Sequence, residues 1–246
     1  QMCIRDRIIP GGAFRRLVYN FEGEDVAKWL NSMGIAAFVL ECRLPSDEHD
    51  NAEDVPLIDA MRAMRVIRGR AQEFGIDEAK IGVMGFSAGG FMAALLSTAY
   101  ESDVYADYKY KDEYDKLSAR PDFAVCSYPV ISIDDCIEAG KRYMSEEQVL
   151  KRISDSKAKI LHKYNPDKLV RPDMPPVFIC ETDDDRTTLS ENSVGFYMAA
   201  RKAGVSAELH IFRTGGHGYG CGDDFAQTGE WKVLFTKWIK SIGIIS

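Results

Sequence analysis

Short apolar runs alternate along this chain with longer stretches in which apolar residues return every three or four positions. The short runs are Ile4–Ile9, Ile35–Glu41, Ile81–Gly85, Phe123–Tyr128, Val177–Glu181 and Ala207–Phe212. Residues 36–40 are apolar without a break, which predicts a strand covered on both faces, as in a parallel sheet. Pro56–Phe74 puts Leu57, Met61, Met64, Ile67, Ala71 and Phe74 on one helical stripe. Arg62, Arg65 and Arg68 share a second stripe, which reads as a solvated face. Further helices are predicted over Glu22–Met33, Ala88–Thr98, Glu191–Ala203 and Thr228–Ser241. This alternation predicts an α/β fold with a mostly parallel, doubly wound sheet and helices on both faces.

Two stretches break the rhythm. Ala99–Pro121 is rich in tyrosine and charge and reads as a solvated excursion, with a sugar-stacking platform as the alternative. Ser132–Pro172 has helical spacing only around Ser145–Ile153 and stands where a lid over a site would lie. Neither has enough apolar residues for a core of its own, so residues 1–246 read as one domain with a lid-like insertion at 132–172. The string Gln1 to Arg7 is charged where an apolar strand should lead into Ile8 and Ile9. It resembles read-through from a sequencing adaptor, so residues 1–7 are expected to be non-native.

Composition narrows the picture further. A chain of 246 residues can bury about 75% of its unfolded surface, so it needs no disulfide or metal staple. Its 38 acidic and 31 basic residues give a net charge of −7, without a basic tract, so nucleic acid is not an expected partner. No run approaches the roughly 18 apolar residues of a membrane-spanning helix. The six cysteines form no C-x-x-C pair and are expected as free thiols. With neither a sequon nor a signal-peptide pattern, a cytoplasmic location is the expectation.

The chemistry is concentrated at Gly85-Phe86-Ser87-Ala88-Gly89, a G-x-S-x-G set between a predicted strand and a predicted helix. A serine on such a sharp turn projects its hydroxyl above the sheet, and the helix that follows aims N–H groups at a developing oxyanion. No Lys-Ser/Thr pair follows, so a Walker phosphate loop does not fit. A serine hydroxyl needs a base, and the base an orienting carboxylate. Of the four histidines, His49 lies in a polar stretch, His162 in the insertion and His210 within a strand. His217 sits in a glycine-rich loop just beyond that strand, at the edge where α/β sites form. Asp183, Asp184 and Asp185 follow the strand before it, and spacing alone does not choose among them. The early turn Pro10-Gly11-Gly12-Ala13-Phe14 is placed to turn backbone N–H groups towards a substrate oxygen.

On these residues the chain resembles the α/β-hydrolase superfamily, within its group of acetylxylan-esterase-like and feruloyl-esterase-like bacterial esterases and lipases. The likeness also draws on residues 42–44, 120–123 and 127–130, the Pro175-Pro176 pair and Glu191-Asn192-Ser193. It implies Ser87 as nucleophile, His217 as general base, and Gly12, Ala13 and Ala88 as oxyanion donors. The acid of the family opens a D-x-x-V-P string before E-N-S, which falls on Asp185, with Asp184 as alternative because the V-P is absent. Pro10 replaces the histidine of the family's HGGG-type loop, and Ala13 its third glycine. The customary first strands have no counterpart, so the chain is expected to start inside the native protein.

The expectation is therefore a serine carboxylester hydrolase that works through an acyl-enzyme without metal or organic cofactor. The resemblance implies small acyl groups on plant-polysaccharide sugars as substrate, as small molecules or oligosaccharide esters. A generic short-chain carboxylesterase, a feruloyl esterase, a prolyl-oligopeptidase-like peptidase and a non-catalytic binding protein are the alternatives.

Overall fold

The computed structural model describes residues 4–45, 51–106, 108–142, 144–154, 159–222 and 227–245. Six strands form one parallel sheet: β1 (Ile4–Ile9), β2 (Ile35–Val39), β3 (Ile81–Phe86), β4 (Ala124–Ser127), β5 (Val177–Thr182) and β6 (Ala207–Phe212). Their order is β2-β1-β3-β4-β5-β6. Every predicted strand is present. The charged string at Arg5–Arg7 lies in the β1 ladder between β2 and β3, because pairing draws only on backbone N–H and C=O groups.

The helices are α1 (Asp25–Ser32), α2 (Val55–Gly69), α3 (Ala71–Phe74), α4 (Ala88–Ala99), α5 (Ile133–Lys141), α6 (Glu146–Ser154), α7 (Lys159–Lys163), α8 (Ser190–Lys202) and α9 (Glu230–Ser241). A π-helical turn over Asn20–Glu24 leads into α1. On one face of the sheet α2, α4 and α8 bury Leu57, Met61, Phe91, Leu95 and Phe196. On the other, α1 and α9 bury Val26, Leu30, Trp231 and Phe235. The chain leaves β1 for α1 on one face and β3 for α4 on the other. Adjacent strands whose connections diverge leave a crevice at their C-terminal ends, the usual ligand position in open α/β sheets.

The arginine stripe of α2 is not the solvated face its spacing suggested. Arg62 bonds Asp112 and Asp115, Arg65 donates to the Leu117 carbonyl, and Arg68 reaches the Arg120 carbonyl and Asp122. The guanidinium of Arg65 also lies 4.1 Å from the centre of the Tyr105 ring. These partners are some 50 residues away in sequence, which is why a local pattern does not reveal them. They hold the tyrosine-rich excursion against α2. Tyr105 is buried there, whereas Tyr110 remains 77% exposed.

Residues 132–172 contribute α5, α6, α7 and a 3₁₀ turn over Pro166–Leu169. The segment is pinned at its start, where Asn192 Oδ1 accepts the N–H groups of Ile131 and Ser132. At the end of α7, Lys163 and the following Tyr164 converge on Asp54 at 2.6 and 2.5 Å. Among the described residues no helix is long and apolar enough to cross a membrane.

Candidate active site

Ser87 occupies the hinge between β3 and α4 with φ 55° and ψ −118°, a conformation that side-chain-bearing residues rarely adopt. Its surroundings hold it there. The Ser87 N–H donates to the Ser127 carbonyl at 3.0 Å, and its own carbonyl accepts from Phe91 N–H at 3.0 Å. The glycines two positions away on each side permit the close approach this hinge needs. A Cβ on Gly85 would run into the Gly89 carbonyl, and one on Gly89 into the Ile9 carbonyl. That is the physical content of the G-x-S-x-G spacing.

His217 Nε2 lies 2.9 Å from Ser87 Oγ, and His217 Nδ1 lies 2.6 Å from Asp185 Oδ2. An ionised carboxylate only accepts, so Nδ1 carries the proton and Nε2 is free to accept from the serine hydroxyl. Asp185 is buried, yet well supplied with donors: Thr187 and Thr188 N–H on Oδ1, and Thr188 Oγ1–H on Oδ2 at 3.0 Å. Burial pushes its pKa up. The bonds from His217 and the two backbone N–H groups outweigh that and hold it below the usual carboxylate value.

The neighbouring aspartates do different things. Asp184 Oδ1 accepts the Gly216 N–H at 2.8 Å and so braces the histidine loop. Asp183 uses its backbone N–H to extend the β5–β6 pairing to the Phe212 carbonyl. With Asp184 and Asp185 engaged in this way, the acidic run is occupied by protein donors. Thr182 Oγ1–H donates to the Gly216 carbonyl, and Trp231 Nε1–H to the Gly220 carbonyl, which fixes the same loop from two further sides.

Of the other histidines, His210 pairs with Glu208 at 2.7 Å and packs on Phe178, and His162 lies on α7. His49 lies outside the described residues. The Pro10–Phe14 turn borders the serine. A Cβ on Gly11 would come within 2.9 Å of Ser87 Cβ and 2.7 Å of the Phe86 carbonyl. Gly12, Ala13 and Ala88 thus belong to the two backbone segments flanking Ser87. Ala13 and Phe14 both have positive φ, near 55°, and the ring of Phe14 is buried edge-on against Phe91. Ala13 therefore adopts a conformation more easily reached by glycine. Beside this turn is an open cleft of about 500 Å³ lined by Leu17, Tyr19, Glu41, Cys42 and Leu44.

Two polar residues of the site, Thr188 and Glu22, have no counterpart in the sequence motifs, and Tyr128 stands in the 127–130 string with no role assigned to it there. Thr188 bridges Asp185 and the Tyr128 carbonyl. Tyr128, with φ 37°, sets its ring edge-on to His217 at 5.0 Å between centres. Glu22 is buried beneath the Gly11 turn and accepts both the Gly11 N–H and the Tyr128 O–H. An isolated carboxylate in an otherwise amphipathic helix carries no local signal of burial, so only the fold reveals it.

A parallel sheet with a serine hinge after β3, an acid after β5 and a histidine after β6 has the architecture of an α/β-hydrolase. Residues 8–199 match the BD-FAE family model, and the chain belongs to that family. It is 31% identical over 236 residues to an acetylxylan esterase of Xylanibacter ruminicola, covering 95% of this chain and 45% of that protein. It is also 31% identical over 218 residues to endo-1,4-beta-xylanase B of Butyrivibrio fibrisolvens, covering 88% of this chain and 32% of that protein. The chain thus spans less than half the length of these two relatives. Among solved structures, an acetyl ester-xyloside bifunctional hydrolase from Caldicellulosiruptor lactoaceticus superposes with a TM-score of 0.80 at 37% identity. That match covers 99% of this chain and 85% of that one.

Proposed function

We propose that this chain is a serine carboxylester hydrolase that removes small acyl groups, acetate foremost, from plant-polysaccharide sugars. The observation that carries the reading is the continuous relay from Ser87 Oγ through His217 to Asp185, at 2.9 and 2.6 Å. In this reading His217 Nε2 takes the Ser87 proton as Oγ attacks the ester carbonyl carbon. The N–H groups of Gly12, Ala13 and Ala88 hold the oxyanion. The tetrahedral adduct collapses, and the alcohol leaves with the proton from His217. Water, deprotonated by the same imidazole, then attacks the acyl-enzyme and releases the acid. Asp185 holds the tautomer and stabilises the imidazolium throughout.

The sugar part of the reading rests on similarity to the acetylxylan esterase and the acetyl ester-xyloside hydrolase. In the adjoining cleft, Tyr19 and Glu41 offer an aromatic face and a carboxylate to a sugar. Residues 132–172 act as the lid that limits acyl length. The test is a hydrolysis screen of p-nitrophenyl esters from acetate to octanoate, with acetylated xylan and feruloylated sugars alongside. Acetate esters and acetylated xylan should be preferred, and a preference for octanoate or feruloyl esters would refute the acyl assignment. Shortening the 132–172 segment should raise activity on longer acyl chains relative to acetate. An unchanged chain-length profile would make it a surface insertion.

A further inference from the structure

Glu22 takes no part in the relay, yet it is 3% exposed in a π-helical turn whose neighbour Phe21 lies at the surface. Burying a carboxylate is costly, and an apolar side chain would fill the space without that cost. Its two oxygens are used at opposite ends. Oε2 accepts the Gly11 N–H at 2.8 Å, and Oε1 accepts the Tyr128 O–H at 2.9 Å. The Tyr128 hydroxyl oxygen in turn accepts the Gly220 N–H at 3.0 Å, three residues beyond His217. Gly11 is held between Glu22 and Ser87, with its Cβ position 2.7 Å from Glu22 Oε2 and 2.9 Å from Ser87 Cβ. One side chain therefore ties together the turn after β1, the end of β4 and the loop after β6.

We propose that Glu22 is a positioning residue for the reaction: through Gly11 it sets the turn bearing the oxyanion N–H groups, and through Tyr128 it sets the loop bearing His217. This inference rests on the serine-esterase reading above. Burial pushes the carboxyl pKa of Glu22 up, while the Gly11 N–H and Tyr128 O–H pull it back, as expected of a group retained for its two acceptor positions. The geometric role separates three variants. Glu22→Leu removes both ties. Tyr128→Phe removes the second and keeps the ring against His217. Glu22→Gln keeps the Gly11 tie through its amide oxygen and reverses the second, its NH₂ donating to the Tyr128 oxygen in place of accepting the Tyr128 O–H.

The test measures p-nitrophenyl acetate hydrolysis by the full chain, with active sites counted by a fluorophosphonate probe. It also measures affinity for an alkylboronic acid that adds to the serine as a tetrahedral adduct. Glu22→Leu should lower kcat per site about 100-fold, the scale of losing an oxyanion donor, with KM within about threefold. Boronate affinity should fall in parallel. Tyr128→Phe should lose about tenfold, and Glu22→Gln should stay within about fivefold of the parent. If Glu22→Leu does not fold, Tyr128→Phe and Glu22→Gln carry the same ordering. Normal turnover per titrated site in the Leu and Phe variants, whatever their stability, would overturn the proposal by making Glu22 structural only. A Gln variant as impaired as the Leu variant would overturn it by making the charge, and not the bridge, the active feature. A parent protein that neither takes the probe nor cleaves the ester would instead overturn the serine-esterase reading itself.

Discussion

Behind the site, Glu22 and Asp185 are buried and accept hydrogen bonds of 2.6–3.0 Å from protein donors; along α2, Arg62 and Arg68 bond the 112–122 segment. The chemistry is the same in both places, charged groups tying distant loops to a frame. The environment differs. The arginines keep some contact with water, which screens each pair to about 0–1 kcal/mol. The carboxylates have exchanged water for a fixed set of N–H and O–H donors, so losing one donor leaves a desolvated charge. The α2 network should therefore matter to stability alone, whereas the buried network should matter to turnover.

The sharpest contrast comes from the relay. Ser87→Ala should lose about 10⁴–10⁶-fold in kcat, and adding His217→Ala should cost little more, because the groups act as a unit. Independent, multiplying effects in steady-state kinetics would break the relay assignment. Next come the adjacent aspartates, which test whether position in a network or mere acidity counts. Asp185→Asn should cut kcat by about 10⁴-fold through the wrong histidine tautomer. Asp184→Asn, exposed and still able to accept the Gly216 N–H through its amide oxygen, should cost at most about 1 kcal/mol of stability, with turnover of the folded fraction kept. Asp183→Asn should leave turnover unchanged. A dead Asp184→Asn beside an active Asp185→Asn would shift the acid by one residue.

On the α2 side, Arg62→Ala should cost about 1 kcal/mol, which at this chain length is about 2–4 °C in Tm, with kcat unchanged. A fall in kcat would mean that the excursion communicates with the site. The smallest effect concerns Glu181, whose pKa is driven up first by burial and then by the charge of Asp185. A carboxyl with a raised folded-state pKa binds its proton more tightly in the native state, so it takes stability away as pH rises above its unfolded value. Glu181→Gln should therefore raise Tm by a few degrees at pH 8, a gain of about 1 kcal/mol, and leave it nearly unchanged at pH 4. A gain that is equal at both pH values would contradict this ionisation argument.

The same contrast separates what the sequence makes legible from what it does not. Strands β2 to β5 are readable because a strand covered on both faces is a largely continuous apolar run, whereas β1 carries Arg5, Asp6 and Arg7 and the edge strand β6 carries Glu208 and His210, so neither shows that signature. The helices packed on the sheet are readable from their stripes. The helices α5 and α7 are not: α5 packs on its neighbour α6, and the five-residue α7 is too short for a stripe and is fixed at its end by the bonds of Lys163 and Tyr164 to Asp54, more than 100 residues away. At the site, Ser87 announces itself through glycines that report close backbone approach, and His217 through flanking glycines whose positive φ the loop requires. Asp184 and Asp185 are adjacent in one loop, and only the path of that loop decides which faces His217. The bond of Glu22 to Tyr128 and those of the arginine stripe to its partners span roughly 50 to 106 residues of chain, so no local pattern carries these contacts.

Whether Ser87 is the nucleophile of an acyl-transfer relay is decided by mass spectrometry of the intact protein and of its peptides after exposure to a fluorophosphonate. A single adduct should form on the parent chain, on the peptide containing Ser87. Ester hydrolysis should be lost in proportion to labelling, and Ser87→Ala should form no adduct. Full ester hydrolysis without an adduct at Ser87, or an adduct on another residue that abolishes turnover, would contradict that role.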